Sequence, residues 1–386
     1  MTLPASLSAP PMRDTIRALT PLRGPQFSSY DRQEVGWLLT DIGATDLARA
    51  APTHLRAAVA AEVSPAPFTP SPEYMRLLAQ ATDRHATQTA VAVGTLTDAI
   101  LRGSRAPVIA SIMRAGVPVG ALMHRWAAYR GFELPHFAIS IVQHAGIDPV
   151  ALRWLAEHHD PGQIVFVDGW TAKGTVALTL RQCLDDAVTS QGIRFPRSFG
   201  VLADPGSCTP LHGTREDFLI PSAGLDSTAT GLVSRSVYHP DLTDPASFHA
   251  AAFHRHLASA DTSRDFLDAV TARFDLAART LSHRTTAPSD PDWSGRSAAA
   301  AVADRYRVDH IDLVKPGVCE TTRVLVQWRV DTLLIRRDAE RDLDHILLLA
   351  AERGTAIEYA DDMPFACVAV VPPRPVLAAT PARAYR

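Results

Sequence analysis

The sequence is poor in cysteine, in net charge and in long apolar runs. None of its four cysteines stands in a CxxC pair, which excludes zinc and redox motifs of that kind. The formal net charge of −3 gives no overall basic field that would attract nucleic acid. No apolar run approaches about 18 residues, and no charged segment followed by an apolar one marks a leader. These absences predict a cytoplasmic protein that makes no contact with a membrane.

The composition is that of a globular protein, with 46% apolar and 20% charged residues in a chain of 386. That length is suited to two or three domains. Proline-rich segments divide the chain, and "TTAPSDPDWSGR" resembles a linker. We predict a first domain at 20–285 with an accessory hood at 200–285, a linker at 286–299, a second domain at 300–372 and a tail at 373–386.

Strand-like and helix-like segments alternate in the first domain. "APVIASI", "LPHFAISIVQ", "QIVFVDGW" and "RSFGVLADPG" resemble strands, and helical patterns separate them. This order predicts a parallel sheet covered by helices on both faces, with ligand sites at the carboxyl ends of the strands. An Ala-rich pattern predicts a helix over 72–103 that stops at Gly103, and apolar spacing predicts an amphipathic helix within 27–42.

One polar loop follows the strand "IVFVDGW". Asp168 ends the apolar run, and the loop that follows opens a helix whose first N–H groups favour an anion. Glycine allows the backbone to approach a phosphate closely, while threonine and lysine supply donors. The segment therefore predicts a phosphate cradle, although a capped strand-to-helix turn explains the same residues. The candidate residues are Asp168, Gly169, Thr171, Ala172, Lys173, Gly174 and Thr175.

A second anion-suited loop, "SIMRAGVPVG", follows another predicted strand. Arg114 supplies a cation between small residues, which suits a phosphate or a pyrophosphate. A strand-end arginine that pairs with a surface acid is the plainer interpretation. The candidate residues are Ser111, Arg114, Ala115 and Gly116.

The two loops resemble the phosphoribosyl-pyrophosphate loop and the pyrophosphate loop of type I phosphoribosyltransferases. Asp168 matches the first acid of that motif, and Gly169 stands where a second acid is usual. The resemblance implies binding of magnesium-bound phosphoribosyl pyrophosphate or a nucleotide, and the making or breaking of an N-glycosidic bond. It assigns catalytic roles to Asp168 and Arg114, with Mg²⁺ held mostly through the substrate and Asp168 as the candidate direct ligand.

More of the chain resembles one branch of proteins. "HFAISIVQHAGID", "GTREDFLIPSAGLDSTATGLVSRSV" and "KPGVCETTRVLVQW" are similar to proteins associated with bacterial tellurium-resistance and stress operons. That family joins a phosphoribosyltransferase-like domain to a C-terminal Pelota-like RNA-binding domain. The implied fold is α/β, a type I phosphoribosyltransferase-like parallel sheet flanked by helices plus a smaller Pelota-like α/β domain; a homodimer is possible.

The middle of the chain contains candidate residues for an acceptor pocket and for a function other than phosphoribosyl transfer. Polar residues there can close the site as a hood or simply hold a loop. Cys208 lies four residues before His212, and a Cys–His pair can act as a nucleophile. Some members of the family are described as cysteine proteases, so a protease that uses Cys208 is the alternative. The hood candidates are Gln143, Asp148, Arg215, Asp217, Ser222, Ser234 and Arg235.

A glycine-containing turn in the second domain also precedes a helix. This feature suits a phosphate, and in the Pelota-like family the turn faces RNA. An ordinary helix cap explains it equally well. A further alternative is an inactive nucleotide sensor coupled to binding of structured RNA. The RNA-binding candidates are Lys315, Gly317, Glu320, Thr321, Thr322 and Arg323.

Overall fold

A computed structural model describes residues 16–43, 69–142, 145–238, 243–282 and 290–372. The helices are α1 (Pro72–Gly103), α2 (Gly116–Tyr129), α3 (Pro149–His158), α4 (Thr175–Gln191), α5 (Ser263–Thr271), α6 (Phe274–Ser282), α7 (Ser294–Tyr306), α8 (Val318–Gln327) and α9 (Asp344–Arg353). The strands are β1 (Gly36–Trp37), β2 (Thr40–Asp41), β3 (Val108–Ile112), β4 (His136–Ile139), β5 (Ile141–Val142), β6 (Gly146–Ile147), β7 (Ile164–Trp170), β8 (Phe199–Ala203), β9 (Leu211–Thr214), β10 (Ala250–Ala251), β11 (Val314–Pro316), β12 (Thr332–Ile335), β13 (Ala356–Tyr359) and β14 (Cys367–Val370).

A parallel sheet forms the centre of the N-terminal domain. Its strand order is β1–β4–β3–β7–β8–β9, and every neighbouring pair is parallel. The inner strands are buried along nearly their whole length and mostly apolar, because both faces are covered. This confirms the predicted parallel sheet flanked by helices. Since the strands share one direction, the loops after β3, β7 and β8 meet at one edge of the sheet.

Alternate residues of each strand serve two separate cores. Ile109, Val165 and Val167 pack with residues of α1, α2, α5 and α6. Their neighbours Ala110 and Phe166 point to the other face, where α3 and α4 cover them. This alternation follows from the two-residue period of a strand, and it produces a helix–sheet–helix sandwich.

Helix α1 has the bounds that the sequence predicted. Ser71 caps it by accepting a 3.2 Å hydrogen bond from the backbone of Tyr74, and Pro72 occupies the first turn. The helix ends at Gly103. The predicted helix within 27–42 is wrong: β1 pairs with β4 there, and Trp37 is fully buried. An apolar run that is covered on both faces does not reveal its period.

The C-terminal domain contains a mixed sheet of order β11–β14–β12–β13, with α7, α8 and α9 packed around it. Helix α7 begins at Ser294, inside the range predicted as a linker, so a helix occupies the end of that range. The predicted tail at 373–386 lies outside the described residues. No helix within the described ranges is long and apolar enough to cross a membrane.

Candidate functional site at the domain junction

Asp168 lies near the end of β7, at the carboxyl edge of the parallel sheet. The residue is 6% exposed, and its Oδ1 accepts a 2.7 Å hydrogen bond from the amide of Gly169. Burial raises the pKa of Asp168 to about 7, although the Gly169 amide and the nearby Arg323 guanidinium act to lower it. Asp168 is therefore a carboxyl group that titrates near neutral pH, not a permanent anion.

Gly169 stands where the resembling family usually has an acid, and the structure supplies a steric reason. A Cβ atom at this position would lie 2.8 Å from the carbonyl oxygen of Ala115. The loop after β3 and the end of β7 thus approach each other backbone to backbone. No side chain fits at residue 169 unless the loop after β3 moves.

The predicted phosphate loop is covered by the C-terminal domain. Lys173 is buried, and its Nζ donates hydrogen bonds of 3.0 and 2.7 Å to the carbonyl oxygens of Ile311 and Val314. Asp312 lies 3.3 Å from the same nitrogen. Burial and the charge of Lys315 lower the pKa of Lys173 to about 8. The lysine thus holds two domains together instead of facing an open anion site.

The other residues of this loop also have contacts within the protein. The Oγ1 of Thr171 accepts a 3.1 Å hydrogen bond from the Gly174 amide, and Thr175 Oγ1 donates to Asp312 at 3.4 Å. A Cβ atom on Gly174 would lie 2.3 Å from the ring of Trp293. The glycine is needed here for contact with a tryptophan of the C-terminal domain, not with a phosphate.

Arg114 follows β3 and forms an ion pair with Asp226. One of its guanidinium nitrogens also lies 3.5 Å from the carbonyl oxygen of Val233. Ser111 is fully buried and lies 2.7 Å from the Nε2 of His136. This loop therefore has the arginine–acid pairing that was the plainer interpretation of the sequence.

Most of the hood candidates make internal contacts. Asp148 caps α3 through the amides of Val150 and Ala151. Ser234 accepts a 2.9 Å hydrogen bond from Ala252 N, and the buried Ser222 hydroxyl has no hydrogen-bond partner. Gln143 lies outside the described residues. Arg215 and Asp217 likewise have internal partners, in Asp204 and in the amide of Val318.

Asp217 links the two domains. Its carboxylate oxygens accept hydrogen bonds of 2.8 Å from Val318 N and 2.9 Å from Ala366 N, both in the C-terminal domain. Burial raises the pKa of Asp217 to about 6, although the two amides act to lower it. Asp217 therefore has a docking role that the sequence did not indicate.

Cys208 lies in a turn after β8 that one buried acid organises. Asp204 accepts hydrogen bonds from the amides of Cys208 and Thr209 and pairs with Arg215. Asp204 was missed in the sequence, yet it follows β8 directly, so the strand-end pattern that singled out Asp168 could have found it. The Cys208 thiol donates to the carbonyl oxygen of Gly206 at 3.4 Å.

The start of α7 covers this turn. Gly295 N donates a 3.0 Å hydrogen bond to Gly206 O, and Trp293 N donates a 2.9 Å hydrogen bond to Ser207 O. A Cβ atom on Gly295 would lie 2.3 Å from the Cα of Gly206 and 2.2 Å from the carbonyl oxygen of Ala172. We call this contact of residues 206–207 with residues 293–295 the glycine contact.

The Cys208 thiol is in its neutral form. Burial and the charge of Asp204 raise its pKa to about 12, while Arg215 and Arg296 act to lower it. His212 makes no hydrogen bond to Cys208, and its buried Nδ1 has no hydrogen-bond partner, although the backbone of Pro210 and Thr209 is close. Burial and Arg215 lower the pKa of His212. The sequence-predicted pair is thus close in the chain but not formed.

The other three thiols lie within regular elements. Cys183 is partly exposed in α4, whereas Cys319 in α8 and Cys367 in β14 are buried. The Cys319 thiol accepts a hydrogen bond from Ile220 N and donates to Phe218 O. Burial raises the pKa of all three.

The predicted RNA-binding turn between β11 and α8 faces the N-terminal domain. Thr321 and Thr322 are fully buried, and Gly317 lies against Asp217. In this arrangement protein covers all three residues, and their contact with RNA stays a prediction. Lys315, Glu320 and Arg323 lie at the margin of the junction, with 13%, 15% and 41% of their side chains exposed.

The side chains around Asp168 do not form a ligand set suited to a directly bound Mg²⁺ ion. Mg²⁺ prefers several oxygen ligands in a near-octahedral arrangement. Asp168 offers one buried carboxyl group that titrates near pH 7 and lies close to Arg323. Across the described ranges, no group of three or more His, Cys, Asp or Glu side chains converges as metal ligands. We assign no step to a metal.

Two family matches account for most of the chain. Residues 28–271 match the family described as Tellurite-like stress resistance cysteine protease StiP, and residues 293–373 match the PELOTA RNA binding domain. Cysteine protease StiP of Acinetobacter baylyi is 28% identical over 339 residues, covering 83% of this chain and 86% of that protein. A solved structure, a hypothetical protein from Neisseria gonorrhoeae with bound ppGpp, shares 14% identity and a TM-score of 0.20, covering 30% of this chain and 65% of that chain.

These matches correct the functional prediction. The phosphoribosyltransferase activity predicted from the sequence is wrong, because the matched family and the curated relative are both named as cysteine proteases. The covered loop of Lys173 and Gly174 gives a physical reason, since a 5′-phosphate would find its donors already used. The type I phosphoribosyltransferase fold remains a prediction. The association with tellurite-like stress resistance and the Pelota-like domain are confirmed. The chain therefore belongs to the StiP family and carries a PELOTA domain at its C-terminal end.

Proposed function

We propose that this protein is a thiol-dependent peptidase whose nucleophile is Cys208, and that the described conformation is its resting state. The observation that supports Cys208 is its place in the fold. Of the four cysteines, it alone stands in a loop at the carboxyl edge of the parallel sheet. Loops at this edge carry the functional groups of open α/β sheets.

His212, four residues after Cys208 in the chain, supplies a workable base once the turn rearranges. In this proposal His212 accepts the thiol proton on an imidazole nitrogen, the Cys208 sulfur attacks the peptide carbonyl carbon, and the C–N bond of the peptide breaks. The leaving amine takes the proton back from His212, and water then hydrolyses the thioester. Because burial and Arg215 lower the pKa of His212, the imidazole is neutral and able to act as a base.

Activation requires two changes from the resting state. The Cys208 side chain must turn from Gly206 O toward His212, and α7 must leave the glycine contact so that a peptide reaches the sulfur. Arg215 favours the thiolate and stays with the Cys208 turn, whereas Arg296 leaves with α7 and the charge of Asp204 opposes the thiolate. Removal of the burial, which is the largest cause of the raised pKa, would lower the pKa of Cys208 toward the range of reactive thiols.

The test compares variants of the full-length chain on a fluorogenic peptide library. Cys208→Ser and His212→Gln should abolish hydrolysis, because they remove the nucleophile and the base. Cys183→Ser is the matched control and should retain the wild-type rate, since this thiol lies in α4 away from the sheet edge. Hydrolysis that survives Cys208→Ser would refute the assignment.

We also propose that residues 293–373 bind RNA. The family match supports this function, and Lys315 and Arg323 offer cations at the margin of the junction. A protein that neutralises RNA phosphates loses affinity as salt rises. Filter binding of labelled RNA over a salt series tests the proposal, and retention that does not depend on salt would count against it.

A further inference from the structure

Two tryptophans and two cations lie in two neighbouring pairs at the domain junction. The guanidinium of Arg323 lies 5.7 Å from the ring centre of Trp170, and the Nζ of Lys315 lies 5.4 Å from the ring centre of Trp328. Glu320 joins the two pairs, with Oε2 at 2.6 Å from Arg323 and Oε1 at 3.6 Å from Lys315. We call these five residues the junction array.

The junction array contains residues of both domains. Trp170 ends β7 of the N-terminal domain, and the other four lie in or next to β11 and α8 of the C-terminal domain. The indole Nε1 of Trp170 lies 3.3 Å from Glu320 Oε2, so the contact between the domains holds this ring in place. Both tryptophans are partly exposed.

The charge of this surface favours an anion. Lys315 and Arg323 carry two positive charges against the one negative charge of Glu320. Burial acts to raise the pKa of Glu320, but Arg323, Lys315 and Lys173 together hold it well below its usual range. Arg235 adds a further cation through its hydrogen bond to Gln327, the residue before Trp328. The five residues of the junction array therefore carry a formal charge of +1, although the whole chain has a formal net charge of −3.

We propose that the junction array is a binding surface for single-stranded RNA, with bases stacked on the tryptophan–cation pairs and phosphates near the cations. This inference rests on the proposed RNA-binding function and adds a residue of the N-terminal domain to it. Unpaired bases present π faces that stack on aromatic rings and on arginine planes, whereas bases in a duplex hide those faces. An array of two rings and two cations is suited to the first kind of ligand.

The experiment measures fluorescence anisotropy of labelled oligouridine with the full-length chain. Trp170→Ala should weaken binding about tenfold or more, because it removes one stacking platform. Trp170→Phe keeps an aromatic face and should restore most of the affinity. Far-ultraviolet circular dichroism and urea unfolding of each variant show whether a loss of binding is a loss of folding.

Two matched controls separate the array from general effects. Arg329→Ala removes an 86% exposed cation next to Trp328, and Phe132→Ala removes a 53% exposed aromatic of the N-terminal domain. Neither residue belongs to the junction array, so both variants should bind like the wild type. An unlabelled RNA duplex of equal length should compete less well than oligouridine.

The possible failures are distinguishable. If Arg323→Ala weakens binding and a folded Trp170→Ala does not, RNA binding belongs to the C-terminal domain alone and the junction proposal is overturned. Equal competition by duplex RNA would overturn stacking as the mode of recognition. If the wild-type chain binds no RNA at all, the RNA-binding function itself fails and the junction proposal fails with it.

Discussion

Replacing Gly295 with alanine should make Cys208 react with an alkylating reagent about fivefold to 150-fold faster. The added Cβ would lie 2.2 Å from Ala172 O and 2.3 Å from Gly206 Cα. Both are backbone atoms, so the clash is relieved only when α7 or the Cys208 turn moves. Overpacking of this kind costs about 1–3 kcal/mol, and it destabilises only the state in which α7 covers the Cys208 turn. The population of the state in which α7 has left the turn rises by the corresponding factor.

The assay is a time course of iodoacetamide labelling, with each cysteine-containing peptide quantified by mass spectrometry. Gly103→Ala is the matched control, because a Cβ at that glycine would meet nothing within 4 Å. Cys183 is partly exposed and gives an internal reference rate in every sample. Cys319 is buried at the domain junction, where its thiol contacts Ile220 N and Phe218 O, and should stay slow unless the whole junction opens.

A labelling rate of Cys208 that is equal in Gly295→Ala, Gly103→Ala and the wild type would show that α7 does not limit access to the thiol. Parallel acceleration at Cys319 would show that the variant opens the whole domain junction instead of the glycine contact alone. Either result would remove the resting-state argument, and only selective acceleration at Cys208 supports it.

Two further predictions concern Asp217. Asp217→Ala should lower the free energy of unfolding by about 2 kcal/mol or more, because Val318 N and Ala366 N each lose a buried acceptor. Urea unfolding followed by tryptophan fluorescence checks this, and an unchanged midpoint would contradict it. Since burial raises the pKa of Asp217 to about 6 from 3.8, folding favours its protonated form. Relative to Asp217→Asn, the wild type should gain stability as pH falls from about 6 to about 4, and lose that gain as pH rises again. A difference between the two that stays constant with pH would refute the shift.

Much of the N-terminal fold was predictable because its signals are local. The pattern over 72–103 gave a helix that Ser71 caps and Gly103 ends, as observed. Apolar runs gave β3, β7 and β8, and the parallel arrangement followed from their alternation with helices. The short edge strands β1 and β9 were missed, because two to four residues are too few to show a period.

The candidate site was predictable only as a list of strand-end residues. Asp168, Arg114 and Cys208 do lie in or beside loops at one edge of the sheet. What those loops contact was not predictable, because no local pattern marks the surface on which a second domain docks. Lys173 and Gly174 resemble a phosphate cradle by composition, yet Val314 O and the Trp293 ring occupy the space where a phosphate would bind.

The contacts of Lys173 make the N-terminal domain dependent on the C-terminal domain of the same protein. A relative that lost the C-terminal domain would leave this ammonium group without the carbonyl oxygens of Ile311 and Val314. A chimera with a foreign second domain would face the same deficit unless it placed acceptors at the same points. Relatives that have the first domain without the C-terminal domain should therefore carry another residue in place of Lys173. The residue at this position should indicate whether a related sequence has both domains.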